Sequence, residues 1–178
     1  IVFTSHIAFA DTFKTVIVNR TDLSVTSYDR MSHGIILNEE ETNVAGFVTA
    51  DEDYDNQVTN YNVLMLDGSE YEFQLRYGMS ACNFALRDSL LYVANSHPIS
   101  TGSGLHCYDL SADKMLWDAD VLQLNVGHSQ YYNNVIISLY KDKVIMEGFE
   151  AYGHYLQIFD AYTGERLANF DIGFPLDK

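Results

Sequence analysis

The densest group of chemically capable side chains is Asp51-Glu52-Asp53-Tyr54-Asp55, whose D-x-D-x-D spacing can turn three carboxylates toward one hard cation. Asp51, Asp53 and Asp55 are therefore candidate Ca²⁺ ligands. The pattern goes no further, because an EF-hand loop continues with Gly and closes on Glu at its twelfth position, where this chain has Asn56 and Asn62. A solvated acidic loop is the simpler reading, and no cofactor other than Ca²⁺ is expected.

Histidines 6, 33, 97, 106, 128 and 154 lack the H-x-H or H-x-x-x-H spacings that place two imidazoles on one zinc. No G-x-S-x-G elbow activates a serine, and Ser100-Thr101-Gly102-Ser103-Gly104 has the glycines of a phosphate loop without its Lys. These absences argue for a binding protein rather than an enzyme.

Side chains of this kind need a scaffold, and the scaffold is a repeat. LHCYDLSADKMLWDADV, Leu105 to Val121, aligns without a gap to LQIFDAYTGERLANFDI, Leu156 to Ile172. Each copy is an extended run, a turn opened by Asp, and a second extended run. Weaker copies turn on Asp67-Gly68, between Tyr61 and Leu75, and on Asp29, between Leu23 and Leu37. Asp-Gly between strands is a strong hairpin signal, and an Asp carboxylate accepts the backbone N–H two residues on. Asp29, Asp67, Asp109 and Asp160 thus read as structural. Helical periodicity is absent, and 13 Tyr with 10 Phe favour strands.

The runs VIISL (135–139) and LLYVA (90–94) are apolar on both faces, as stacked sheets require. With hinges near the about 40–45-residue period of a propeller blade, the pattern predicts one all-β domain over 1–178. Its four units would fall near 11–38, 43–77, 80–122 and 131–174, forming a small or partial β-propeller, with a β-sandwich as the alternative. Cys82 and Cys107 would then lie on the first and third strands of one unit. That puts their Cα atoms about 10 Å apart, too far for a disulfide.

The hairpins CYDLSADKMLW and IFDAYTGERLA resemble the repeat of quinoprotein-like (PQQ-type) β-propellers, whose pattern runs through Asp, Thr-Gly and a downstream Trp. Asp160 with Thr163-Gly164 matches one half, and Asp109 with Trp117 the other. The resemblance implies a propeller fold. It carries no cofactor or metal ligand of the family's dehydrogenases onto this chain, and some members are non-enzymatic scaffolds of the bacterial envelope.

The net charge of -15, from 25 acidic and 10 basic residues, disfavours nucleic acid and anionic membrane, and no apolar run is long enough for a spanning helix. A basic protein is the complementary partner. Recognition is expected from loops on the rigid scaffold, with Asp51, Glu52, Asp53, Tyr54, Asp55, His97, His128, Tyr131 and Tyr132 as contact residues. One concrete version is an immunity protein or inhibitor that neutralises a basic secreted bacterial toxin; the alternative is a Ca²⁺- or carbohydrate-binding envelope module. Ala8-Phe9-Ala10 before Asp11 has the small-x-small form of a signal-peptidase site, which suggests a periplasmic or otherwise exported protein. If residues 1–10 are instead a first strand, a cytoplasmic location is equally open.

Overall fold

The computed structural model describes residues 2–7, 12–19, 21–40, 42–53, 55–56, 58–76, 81–96, 103–120, 134–150 and 153–171. They form fifteen antiparallel strands in four sheets, with no helix among the described residues. The first sheet is β1 (Val2–Ile7), β2 (Thr12–Val18) and β3 (Val25–Tyr28), and the second is β4 (Gly34–Leu37), β5 (Val44–Asp53), β6 (Val58–Met65) and β7 (Glu70–Arg76). The third is β8 (Ala81–Arg87), β9 (Leu90–Ser96), β10 (Ser103–Asp109) and β11 (Lys114–Asp120). The fourth is β12 (Asn134–Tyr140), β13 (Lys143–Glu150), β14 (Gly153–Asp160) and β15 (Arg166–Asp171). Each sheet is a meander, so every strand pairs with its neighbour in sequence.

The turns explain themselves locally. Asp109 Oδ1 accepts the N–H groups of Ser111 and Ala112, Asp160 Oδ1 those of Tyr162 and Thr163, and Asp67 Oδ1 that of Ser69. These bonds favour the ionised carboxyl and hold all three acids below the ordinary carboxylate value: the Ser69 side chain and then its backbone lead at Asp67, the Ser111 and then the Ser89 side chain at Asp109, and the backbone bond from Tyr162 at Asp160. Gly68, at φ 95°, and Gly164, at φ 72°, supply the left-handed positions of their turns.

The fourth hinge is not where the spacing put it. Asp29 lies on the crossover from β3 to β4, which belong to different sheets, and pairs with Lys14 at 3.2 Å. The equivalent turn joins β2 to β3, where Asp22 Oδ1 accepts the Ser24 N–H at 2.9 Å. Gly34–Leu37 therefore opens the second sheet, which starts before residue 43, and the first ends at Tyr28 rather than near 38. An Asx turn and a crossover look alike when only an Asp between two extended runs is read. Aligned on these turns, β1, β2 and β3 correspond to the last three strands of the other sheets.

Strand alternation builds the stack. On β9, Leu91 and Val93 enter the core with the second sheet while Tyr92 and Ala94 enter the core with the fourth. The run 90–94 is thus buried on both faces, as its composition implied. VIISL is covered on one face only: Val135 and Ile137 are buried, but Ile136 is 38% exposed because the fourth sheet is the last of the stack. Among the described residues the first and fourth sheets share no core, so the four sheets form an open arc.

The third and fourth sheets are joined by hydrogen bonds as well as by packing. Trp117 Nε1–H and Tyr92 O–H both donate to the Ala161 carbonyl, each at 3.2 Å. A Cβ on Gly164 would come 2.6 Å from ring carbon Cε3 of Trp117, so only glycine lets the indole lie on this turn. The two incomplete halves of the repeat motif meet here across neighbouring sheets. Cys107 is a free, buried thiol, and burial, assisted by Asp109, pushes it up to about 12. Cys82 lies on β8, with β9 between it and β10.

Candidate functional site

Between sheets of a stack both faces of every strand should be apolar, and the second sheet departs from that rule. Toward the third sheet, β5–β7 present Val48, Tyr61, Val63, Phe73 and Leu75, all buried. Toward the first sheet, alternation presents Phe47, Thr49 and Asp51 on β5, Asn60, Asn62 and Leu64 on β6, and Glu72 and Gln74 on β7. Phe47 and Leu64 are capped by Ile17 and Tyr28, with the Tyr28 and Phe47 rings 4.7 Å apart. The six polar side chains beyond them line a depression of about 370 Å³.

Register arranges these six in two rows. Thr49, Asn62 and Glu72 are successive cross-strand partners, as are Asp51, Asn60 and Gln74. Asn62 Nδ2 donates to Glu72 Oε1 at 3.1 Å and Gln74 Nε2 to Asn60 Oδ1 at 2.7 Å. Asn62 Oδ1 has no hydrogen-bond partner among the described residues. The surface combines two carboxylates with three side-chain amides and the Thr49 hydroxyl, which donate as well as accept.

Charge singles out the same sheet. No Lys or Arg occurs between Arg30 and Arg76, whereas that interval holds ten Asp and Glu residues. Glu39 is approached by Arg87 from the third sheet at 3.9 Å. Among the described residues neither Asp51 nor Glu72 forms an ion pair.

His33 fastens the crossover that leads into this sheet. Its N–H donates to the Val48 carbonyl at 2.7 Å, and its Nδ1 accepts the Ala50 N–H at 3.0 Å. Burial holds the imidazole below its ordinary value, against the opposing pull of Asp51 and Glu52.

The acidic run named from sequence is dispersed by the strand it ends. Asp51 joins the cleft, and Glu52 alternates to the other face. Asp53 accepts the N–H and the side-chain amide of Asn56 and so closes the turn after β5, while Asp55 is exposed in that turn. Bonds from the Asn56 side chain and then its backbone hold Asp53 below the ordinary value. Asp51, Asp53 and Asp55 do not converge, and among the described residues no three His, Cys, Asp or Glu side chains are grouped to hold a metal ion. Tyr54, His97, His128, Tyr131 and Tyr132 lie outside the described residues. His106 is buried beside Asn95, with Nε2 and Oδ1 3.0 Å apart.

Thr49, Asn60, Asn62, Glu72 and Gln74 were not among the residues singled out from sequence. Their signal is present in VTNYNVLM and EYEFQLR, where apolar and polar residues alternate. In a stack, alternation marks a stretch of a face that the neighbouring sheet does not cover.

No protein-family profile matches the chain. No curated protein sequence matches it either. Among solved structures it is similar to the β-propeller domain of the trilobed protease from Pyrococcus furiosus, described as having an open velcro topology, with a TM-score of 0.60 at 9% identity. That alignment covers 94% of this chain and 52% of the other, so the chain spans about half the length of the propeller domain it matches. A europium-containing methanol dehydrogenase aligns over 71% of this chain and 23% of its own, with a TM-score of 0.47 and 14% identity. The fold is a β-propeller, here an open arc of four blade-like sheets, and propellers commonly serve as protein-interaction modules.

Proposed function

We propose that this chain is a non-enzymatic protein-binding module whose partner is basic, with the second sheet as the docking blade. The observation that carries the reading is the acidic excess of that sheet, ten Asp and Glu residues between Arg30 and Arg76, of which Asp51 and Glu72 line its polar cleft. Complementary charge accelerates encounter and disfavours acidic competitors. The finer version is an immunity protein or inhibitor that occludes a basic secreted bacterial toxin, acting in the periplasm or outside the cell. The Asp-hinged turns, with Trp117 seated on Gly164, favour the PQQ-type class of propeller repeat.

Affinity capture from the native organism at low salt, followed by binding kinetics with the purified captured protein, tests the reading. The expected partner is basic and stoichiometric, with an association rate that falls steeply as salt rises. A neutral or acidic partner, or a salt-independent rate, overturns it. The amide-rich rows favour one second reading, a carbohydrate-binding face, because side-chain amides can donate to and accept from hydroxyls. Calorimetry against a glycan panel separates the two.

A further inference from the structure

We propose that the face of the fourth sheet turned away from the third docks on the free face of the first sheet in a second copy of this chain, so that two arcs close one ring of eight sheets. These surfaces lie apart from the polar cleft, and the proposal stands independently of the basic-partner reading. The fourth sheet repeats the register of the third. Tyr92, Cys107 and Trp117 are successive cross-strand partners, as are Ala94, Leu105 and Ala119. In the same places on the fourth sheet stand Ile145, Ile158 and Ala168, and Glu147, Leu156 and Phe170. The six on the third sheet are covered by the fourth. Their counterparts alternate with buried Val144, Met146, Tyr155 and Phe159 and so face outward, with Phe170 52% exposed and Glu147 the one charged member. A face built to this pattern receives another sheet of the same kind.

The first sheet offers the matching surface. In its β2–β3 turn the Asn19 N–H donates to the Ser24 carbonyl and the Leu23 N–H to the Asn19 carbonyl, just as Asp160 donates to Glu165 and Gly164 to Asp160. Leu23 therefore corresponds to Gly164 and shares its left-handed conformation, at φ 58°, which leucine rarely adopts. Between the third and fourth sheets Gly164 leaves room for Trp117. At the proposed join the sizes are exchanged, with Leu23 in place of the glycine and Ala168 in place of the tryptophan, so the leucine fills the space of the missing indole. Leu23 and Val25, 72% and 63% exposed, are the most exposed large apolar residues described. Val25 pairs with Val18, and both alternate away from Ile17 and Tyr28, which cap the second sheet.

Closure follows from number and area. Propellers typically have about four to eight blades, so two arcs of four sheets complete a ring within that range. A two-fold axis through the ring makes the two joins identical and leaves neither face open. Strands about 4.8 Å apart and about 20 Å long give two such joins on the order of 1,200 Å² of buried surface, enough for a specific, stable interface.

Sedimentation equilibrium of the chain, with small-angle scattering on the same samples, tests the proposal. A dimer that scatters as a closed ring is expected. Phe170→Asp and Leu23→Asp should each weaken it by at least about tenfold, because each puts a carboxylate into both joins. Leu66→Asp, at a 43% exposed position beside the β6–β7 turn, should leave it unchanged. Ala168→Trp alone should weaken it by about tenfold through overpacking on Leu23, and adding Leu23→Gly, which recreates the Trp117–Gly164 pair, should restore it. Unchanged circular dichroism shows that each variant keeps its sheets. A monomer at every concentration, a dimer indifferent to both Asp variants, or no rescue of Ala168→Trp by Leu23→Gly overturns the proposal. So does a dimer lost with Phe170→Asp and kept with Leu23→Asp, since like faces would then be meeting.

Discussion

The second sheet has two faces made by the same three strands, and they are built from opposite materials. Toward the third sheet, Phe73 stacks on Tyr108 at 4.6 Å and on Tyr61 at 5.6 Å, and Val48, Val63 and Leu75 fill the space around them. Toward the first sheet, Phe47 and Leu64 occupy one end, and the other end is a ladder of amides and carboxylates open to solvent. The difference teaches that a period of two does separate duties: one set of residues carries the stability of the blade while the intervening set is free for recognition.

The largest expected effect comes from breaking the dry face. Phe73→Ala removes a buried ring from an aromatic stack and should cost about 3–5 kcal/mol in chemical denaturation, through lost transfer energy and the cavity left behind. A loss near that of an exposed site would mean that the third sheet does not seal this face. Gly164→Ala tests the other sealed join. Its methyl group would meet the Trp117 ring in a turn at positive φ, so a loss of about 1–3 kcal/mol is expected, partly relieved when Trp117 is also made smaller.

His33 lies where the crossover meets the strand that carries both faces. Its folded value is lowered, so the unfolded state binds the proton more readily. Stability should therefore be complete above the unfolded value of 6.5 and fall as pH drops below it toward the folded value. His33→Asn, which keeps an acceptor for the Ala50 N–H, should flatten this slope in a series of unfolding midpoints, and an unchanged slope assigns the effect elsewhere. The smallest effect is predicted for the open face: Gln74→Ala should change stability by no more than about 0.5 kcal/mol, as usual for exposed positions. A cost near that of Phe73→Ala would make the ladder structural and dissolve the contrast.

Much of the fold was legible because its signals are local. Asp67, Asp109 and Asp160 each bond N–H groups within three residues, so a short string of sequence contains the whole cause of the turn. The same short range misled at Asp29, since an Asp between extended runs does not reveal whether the second run returns beside the first or leaves for another sheet. Asp22, in a less repetitive stretch, makes the true turn. The candidate site was legible only at Asp51. The acid-rich run drew notice by density, yet its other members turn away or close a turn, and the polar partners on β6 and β7 carry no motif.

The sequence by itself determined the all-β class, three of the four Asp turns and the acidic charge, since alternation, turn chemistry and composition act within a few residues. Only the tertiary structure decided which faces are covered. Trp117 and Gly164 complete each other across two sheets, and Asp51, Asn62 and Glu72 come together from three strands. Both depend on contacts distant in sequence, whose existence rests on how whole sheets stack rather than on any neighbouring residue.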